Sequence, residues 1–468
     1  MSDDLRALVD DPALRRSTSA REMVAASLEA IEAAQPTLNA FIAVDAEQAL
    51  ADADAVDALP PSQRAGLPLA GWPIAVKDNI DVSGYVSTAG SSLFASDAPA
   101  TRDSDVVQRL RAAGAVVVGK VTLHELAYGG TNDNATFGPC RNPWDVDRVP
   151  GGSSGGSGAA AGADLCLAAL GTDTGGSVRI PASYNGVTGL RPTFGSASNV
   201  GVRHISASFD TVGVLARSAL DVAQVQQVIA GPSPHDPWSL PAGHPWLPST
   251  EPEQDAVAGL RVGVLDDFFT ADVDEEVLAG VAHVVEVLRD LGADVEACTV
   301  PGASRANDLC GRIIRAEAYA AYADDLVAHR HLLGADVVAR LELGARLTGA
   351  EVSTAYTEAR AWSVTARDLV RRYDVLVGPT VSSCPPRIDE VEDMVETTAR
   401  GTRLTYPWSL AGLPALSMPC GVDSRGLPLG AQVVGAPGRD GLLLGVAAAF
   451  QTATDHHRRR PSGVGATA

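Results

Sequence analysis

The residues best suited to chemistry lie close together in the chain. Between Val149 and Pro192 the sequence carries two glycine-serine runs, Gly151-Gly152-Ser153-Ser154-Gly155-Gly156-Ser157 and Thr174-Gly175-Gly176-Ser177. Glycine lets a backbone take positive φ and approach a ligand, and successive N–H groups in such turns converge where an anion can sit. A hydroxyl beside converging amides suits acyl transfer, which needs a nucleophile and donors aimed at the oxyanion of a tetrahedral intermediate. An isolated run of this kind is more often a flexible linker. Here the first run passes at once into Ala159, Ala160 and Ala161 and a strand-like Leu165 to Leu170. The second is bounded by that strand and by Val178-Arg179-Ile180-Pro181, so both sit inside a folded unit.

The elements that must hold these groups are legible from periodicity. An apolar strand, Pro73 to Val76, runs directly into Lys77. A lysine there is either buried and paired or snorkels to the surface, and the local sequence leaves both open. A helix from about Ser104 to Ala113 stops at Gly114 and precedes the strand Ala115 to Val118. Gly114 to Val121 nearly matches a phosphate-binding loop, but Val121 replaces the required Ser/Thr and the intervening residues are strand formers, which excludes nucleotide binding there. Leu123 to Asn134 begins helix-like and becomes a polar loop, either lining a pocket or making an ordinary surface connection.

Upstream, Ser19 and Glu22 fit a capping box, followed by Val24, Leu28 and Ile31 at helical spacing, with Pro36 closing the run. A second helix is expected over Ala46 to Leu59. Residues 1–62 thus read as a helical packing arm without chemistry of its own. A later helix from Asp274 shows Val277, Val281, Val284, Leu288 and Leu291 on one face and stops at Gly292. The proline-rich stretch 231–252 reads as a long surface loop, and 456–468 as a flexible tail.

The chain has 468 residues, 46% hydrophobic, with 36 Lys+Arg against 57 Asp+Glu and a net charge of −21. That sign disfavours nucleic acid and anionic membranes as partners. No apolar run is long enough to span a bilayer and no signal peptide is visible, so a soluble, cytoplasmic protein is expected. Cys140, Cys166, Cys298, Cys310, Cys384 and Cys420 lack CxxC spacing, and the nine histidines lack HExxH spacing. Neither a metal nor a cofactor is expected.

Lys77 within AVKDNI, then GGSSGGSGAA, then GTDTGGSVRIPA, together resemble the amidase signature family, serine hydrolases built on a Ser-cisSer-Lys triad. The resemblance is close from about Pro68 to Ala230. It is looser from Tyr373 to Phe450, where LAGLPALSMPCG and RGLPLGAQVVG resemble late strands, and residues 260–372 fall where the family varies. It implies an α/β fold with a mixed, mostly parallel sheet covered by helices on both faces, here over residues 63–455. Carried over by position, it makes Ser177 the nucleophile, Ser153 the cis-peptide serine and Lys77 the terminal base. The amides of Thr174, Gly175, Gly176 and Ser177 then form the oxyanion hole. Ser154 becomes a supporting hydroxyl, with Asp173 and Arg179 the pair that fixes the loop. HELAYGGT resembles the loop of members acting on aryl- or alkyl-acetamide-like substrates, which implies Ala127, Tyr128, Gly129, Gly130 and Thr131 as the substrate-facing stretch. Ser409 stands where the family usually has asparagine, which puts the shape of that pocket in doubt.

The residues support these roles on physical grounds. Serine needs a base, and no histidine lies in the motifs. Lys77 serves only when neutral, which burial away from a carboxylate favours. Ser177 is expected to open a short helix, with its amides at a helix N-terminus. Activity should therefore rise toward alkaline pH. The expected reaction is hydrolysis of a small-molecule carboxamide through a Ser177 acyl-enzyme. Carbamate (urethane) or ester cleavage by the same site is an alternative. So is a glutamyl-tRNA amidotransferase A-type subunit that works with partner chains. Gly151 to Gly155 also satisfies G-x-S-x-G, the nucleophile elbow, but Asp147 to Pro150 replaces the strand an elbow needs. A homodimer is a further expectation from the family.

Overall fold

Along β9 (Val375–Pro379), Val375 and Val377 enter one apolar cluster and Leu376 another, as the two-residue period of a strand requires. The same split occurs where Leu416 and Met418 face one side and Ala415 the other, and where Val433 and Val434 part. A sheet with two apolar faces needs cover on both. Helices Ala20–Leu38, Glu275–Asp290 and Asp440–Ala453 contribute to the first cluster, and helices Ala303–Ala328, Ala335–Ala345 and Gly349–Arg372 to the second.

The computed structural model describes residues 3–247, 251–253 and 255–462. Among these, β9 belongs to an eleven-stranded sheet with β1 (Phe41–Ala43), β2 (Pro73–Lys77), β3 (Val116–Val121), β4 (Ala168–Asp173), β5 (Thr188–Arg191), β6 (Thr211–Ala216), β7 (Arg261–Leu265), β8 (Asp294–Cys298), β10 (Ala415–Val422) and β11 (Pro428–Gly435). The order across the sheet is β1-β3-β2-β4-β6-β5-β10-β11-β9-β7-β8. The sheet is mixed, as expected, but antiparallel pairings outnumber parallel ones. Only β2–β3, β2–β4, β7–β8 and β7–β9 are parallel. A strand buried on both faces is apolar throughout in either direction, so its composition does not report its sense. The tight turn at Asp423 to Leu427, where Asp423 N–H donates to Leu427 O, forces β10 and β11 to pair antiparallel.

Four local expectations change. Pro36 lies inside the first long helix, which runs on to Leu38 and ends where Asn39 takes a left-handed conformation and its N–H donates to Gln35 O. The expected packing arm also supplies β1, which pairs with β3 at the edge of the sheet, so Phe41–Ala43 belong to the central layer. The supposed tail is anchored as far as it is described. Arg460 bridges Asp164 at 2.5 Å and Asp10 at 2.7 Å, and His457 is buried; residues 463–468 lie outside the described set. Leu291, placed on the apolar face of helix Glu275–Asp290, is instead 38% exposed at its C-cap. No helix among the described residues is long and apolar enough to cross a membrane.

Candidate active site

Lys77 is the last residue of β2, and β4 runs parallel beside it with Val76 opposite Leu170. This register carries Thr172 to the lysine amine. The side chain of Lys77 is fully buried, with Nζ 2.8 Å from Ser153 Oγ, 2.9 Å from Ser154 Oγ, 2.7 Å from Thr172 Oγ1 and 3.4 Å from Thr172 O. No carboxylate touches it among the described residues. Burial pushes its pKa down to about 7, against an opposing pull from the charges of Asp210 and Asp173.

The surrounding bonds leave Ser153 available as its proton partner. Ser154 Oγ donates to Thr172 O at 3.1 Å and accepts from Thr172 N–H, so its own proton is committed. Thr172 Oγ1 already accepts from Asn79 Nδ2 at 3.2 Å. A neutral amine has two protons and one lone pair. One arrangement consistent with these contacts sends the two protons to Ser154 and Thr172 and leaves the lone pair facing the Ser153 hydroxyl.

Ser153 and Ser154 precede helix Gly155–Gly162, and the Gly152–Ser153 peptide is cis. The first glycine-serine run is therefore mostly a helix start and not a second anion nest. Its glycines permit close packing: a Cβ at Gly156 would come within 2.5 Å of Thr122 O. Two backbone bonds lock the loop, from His124 N–H to Ser153 O at 3.0 Å and from Ser154 N–H to Ser177 O at 3.1 Å.

The second run leaves the end of β4. Asp173 accepts from Gly176 N–H at 2.7 Å, Val178 N–H at 3.2 Å, and both Nε and Nη2 of Arg179 at 3.0 Å, while Arg191 Nη1 stands 3.3 Å away. Burial alone would raise the Asp173 carboxyl, but the two guanidiniums overcome it and hold the group well below the usual carboxylate range. Thr405 Oγ1 donates to Gly175 O, and Thr174 Oγ1 donates to Asp210 Oδ1, each at 2.5 Å. The loop is thus tied along its length, and the Ser177 side chain makes no hydrogen bond among the described residues. Because Gly176 N–H is spent on Asp173, it drops out of the expected oxyanion set. The N–H groups of Thr174, Gly175 and Ser177 donate to no other group among the described residues. The helix expected to open at Ser177 begins at Arg179, so these amides belong to a turn before it.

Ser153, Ser154 and Lys77 are wholly buried, whereas Ser177 is 9% exposed and opens on a pocket that Thr174 and Gly175 also line. No hydrogen bond joins the Ser153 and Ser177 side chains among the described residues. Residues 22–444 match the sequence model of the family described as Amidase.

The chain belongs to the amidase family.

It is 37% identical over 474 residues to the A subunit of the glutamyl-tRNA(Gln) amidotransferase of Moorella thermoacetica, covering 96% of each chain. It is also similar in structure to a chain of a vestigial protein complex that bears on the origins of an s-triazine catabolic enzyme, with TM-score 0.87, 33% identity and 98% and 99% of the two chains covered. A 6-aminohexanoate cyclic dimer hydrolase complexed with substrate superposes with TM-score 0.84 at 30% identity, over 95% of this chain and 96% of that one.

In this amidase the loop carried over as substrate-facing divides. Ala127, Tyr128 and Gly129 line the pocket with Ser177. Gly130 donates its N–H to Thr398 Oγ1, and Thr131 is fully buried with Oγ1 3.2 Å from His124 Nδ1, so these two serve the loop and not the pocket. Ser409 also lies away from the pocket: it accepts from Arg179 Nη2 at 2.8 Å and steadies the loop from behind. The far wall comes from segments the family resemblance left unassigned, including Ile205, Ile314, Arg315, Arg340, Thr398 and Tyr406. Thr172 and Asn79 were missed as partners of Lys77. The only hint of them was their position at strand ends that register brings together.

Proposed function

We propose that this amidase hydrolyses carboxamides through an acyl-enzyme on Ser177. The observation that carries the reading is a buried amine, free of any carboxylate contact, bonded to the Ser153 hydroxyl beside the one serine that opens on the pocket. Ser177 Oγ attacks the carbonyl as its proton passes to Ser153 and the Ser153 proton passes to Lys77. That step requires a Ser177–Ser153 hydrogen bond to form with substrate in place, as catalytic contacts commonly tighten on binding. The oxyanion is received by amides of the set Thr174, Gly175 and Ser177. The relay then protonates the leaving nitrogen, and water admitted by the same route cleaves the acyl-enzyme. Aryl amides, carbamates and esters present the same carbonyl and fall within its reach.

The full-length likeness to the A subunits of amidotransferases favours a second reading, in which the same chemistry releases ammonia from glutamine for use by partner chains. On sequence likeness this is the better supported of the two. A fluorophosphonate adduct mapped to Ser177, absent in S177A and slowed in K77M, is expected under both. An adduct on Ser153 or Ser154 would sink both. Turnover of a small amide by the purified chain alone supports the independent amidase. Glutamine hydrolysis that appears only with partner chains supports the amidotransferase reading.

A further inference from the structure

Among the described residues, the pocket in front of Ser177 is lined by two cationic side chains, Arg315 and Arg340, and by no carboxylate. They differ in how far their charge is already used. Arg340 is 4% exposed. It donates Nη1 to Tyr128 O and Nη2 to Met394 O at 2.6 Å and Thr398 Oγ1 at 2.7 Å, and has Asp336 at 3.7 Å. Arg315, on the pocket side of helix Ala303–Ala328, is exposed and enters no ion pair or side-chain hydrogen bond among the described residues. Glu317 on the same helix cannot serve it. That carboxylate accepts from the hydroxyls of Ser206, Ser208 and Tyr356 and from Ser208 N–H.

Tyr128 also lines the pocket, but its hydroxyl is closed off from solvent and has no partner among the described residues, so it is not within reach of a ligand. In a chain of net charge −21, an unpaired guanidinium at the pocket also supplies the local field that an anionic substrate needs.

We propose that the amide substrate carries a carboxylate, received by the Arg315 guanidinium, and carries no ammonium group. This rests on the amide-hydrolase reading and narrows its substrate class. Free glutamine fits poorly: its carboxylate finds Arg315, but its ammonium finds no acidic partner in the lining and loses hydration without return. A monoamide of a dicarboxylic acid has the first group and lacks the second.

Three amides of similar length isolate the groups: glutaramate, butyramide, which lacks the carboxylate, and glutamine, which adds the ammonium. For the wild-type protein kcat/KM for glutaramate is expected to exceed that for each of the others by about tenfold or more, the usual scale for a charge-assisted hydrogen bond. In R315Q the glutaramate-to-butyramide ratio should fall toward one, with partial recovery in R315K. Equal wild-type values for glutaramate and butyramide, or glutamine cleaved as well as glutaramate, would overturn the proposal. If all three turn over too slowly to measure, protection of Ser177 from fluorophosphonate by glutarate decides. Protection in wild type that is lost in R315Q supports the carboxylate site. Labelling without protection refutes it and leaves the Ser177 chemistry standing. No labelling at all refutes the amide-hydrolase reading, and the substrate class with it.

Discussion

At the scale of residues, the site turns on how one amine is kept neutral. Lys77 loses its proton near pH 7 instead of its ordinary 10.5 because it is buried. The active form therefore lies above that pKa. The rate with a neutral amide should climb through about pH 7 and level off by about pH 8.5, and a profile flat down to about pH 5 would exclude the lysine base. K77M should lower kcat by about 10²–10⁴-fold, the range of a lost general base. Stability carries the same signature. Between pH 7 and 10.5 the unfolded chain binds a proton at Lys77 that the folded chain does not, so unfolding free energy rises with pH across that window. Cys140, Cys166 and Cys420 are pushed up to about 12 by burial and act in the opposite sense above their ordinary value of 9.0. Denaturant titrations from about pH 7 to 8.5 should then show a rising stability in wild type that K77M lacks. Thr172 offers a finer test: T172V removes an acceptor from the amine, and about a tenfold fall in kcat with little change in KM is expected of a group that only orients the base.

At the scale of elements, the catalytic loop is held by the end of β4 and not by its own sequence. Asp173 binds two loop amides and a forked Arg179, all out of water, with Arg191 beside them. Replacing one partner of such a buried set strands the remaining charges. D173N should cost about 3–5 kcal/mol of unfolding free energy, measured by denaturant melts, and should mispace the nest enough to abolish fluorophosphonate labelling. If D173N proved as stable as wild type, the claim that this pair fixes the loop would fail. At Gly176, φ is +133° and a Cβ would stand 2.3 Å from Thr405 Oγ1, so G176A should disturb the same loop from the other side.

At the scale of the whole molecule, the segments around Asp10 and Arg460 are drawn together at Asp164. Arg460 and Arg217 both reach Asp164, just beyond the end of helix Gly155–Gly162, and Arg460 also reaches Asp10. Truncation after residue 458, or R460A, should lower unfolding free energy by about 2 kcal/mol, since bonds to charged groups are worth about 1.5–3 kcal/mol each. A truncation without effect on a thermal melt would show that the end is mere decoration.

The candidate site residues could be singled out in the sequence because each carries a local signal: a lysine closing an apolar strand, hydroxyls beside glycines, and an Asp and Arg flanking the second run. Helices were legible wherever caps and a 3.6-residue period coincided, as at Ser19 to Glu22 and Asp274 to Leu288. Strand direction was not, because fully buried strands are apolar whichever way they run. Nor were the roles of Thr172, Asn79 and Arg315 legible, since each depends on a neighbour more than 90 residues or a whole sheet away. Gly176 shows the limit most clearly. By type and position it belonged to the oxyanion hole, and only tertiary structure brings Asp173 to its N–H, because a hydrogen bond is decided by where the acceptor lies and not by what the donor is.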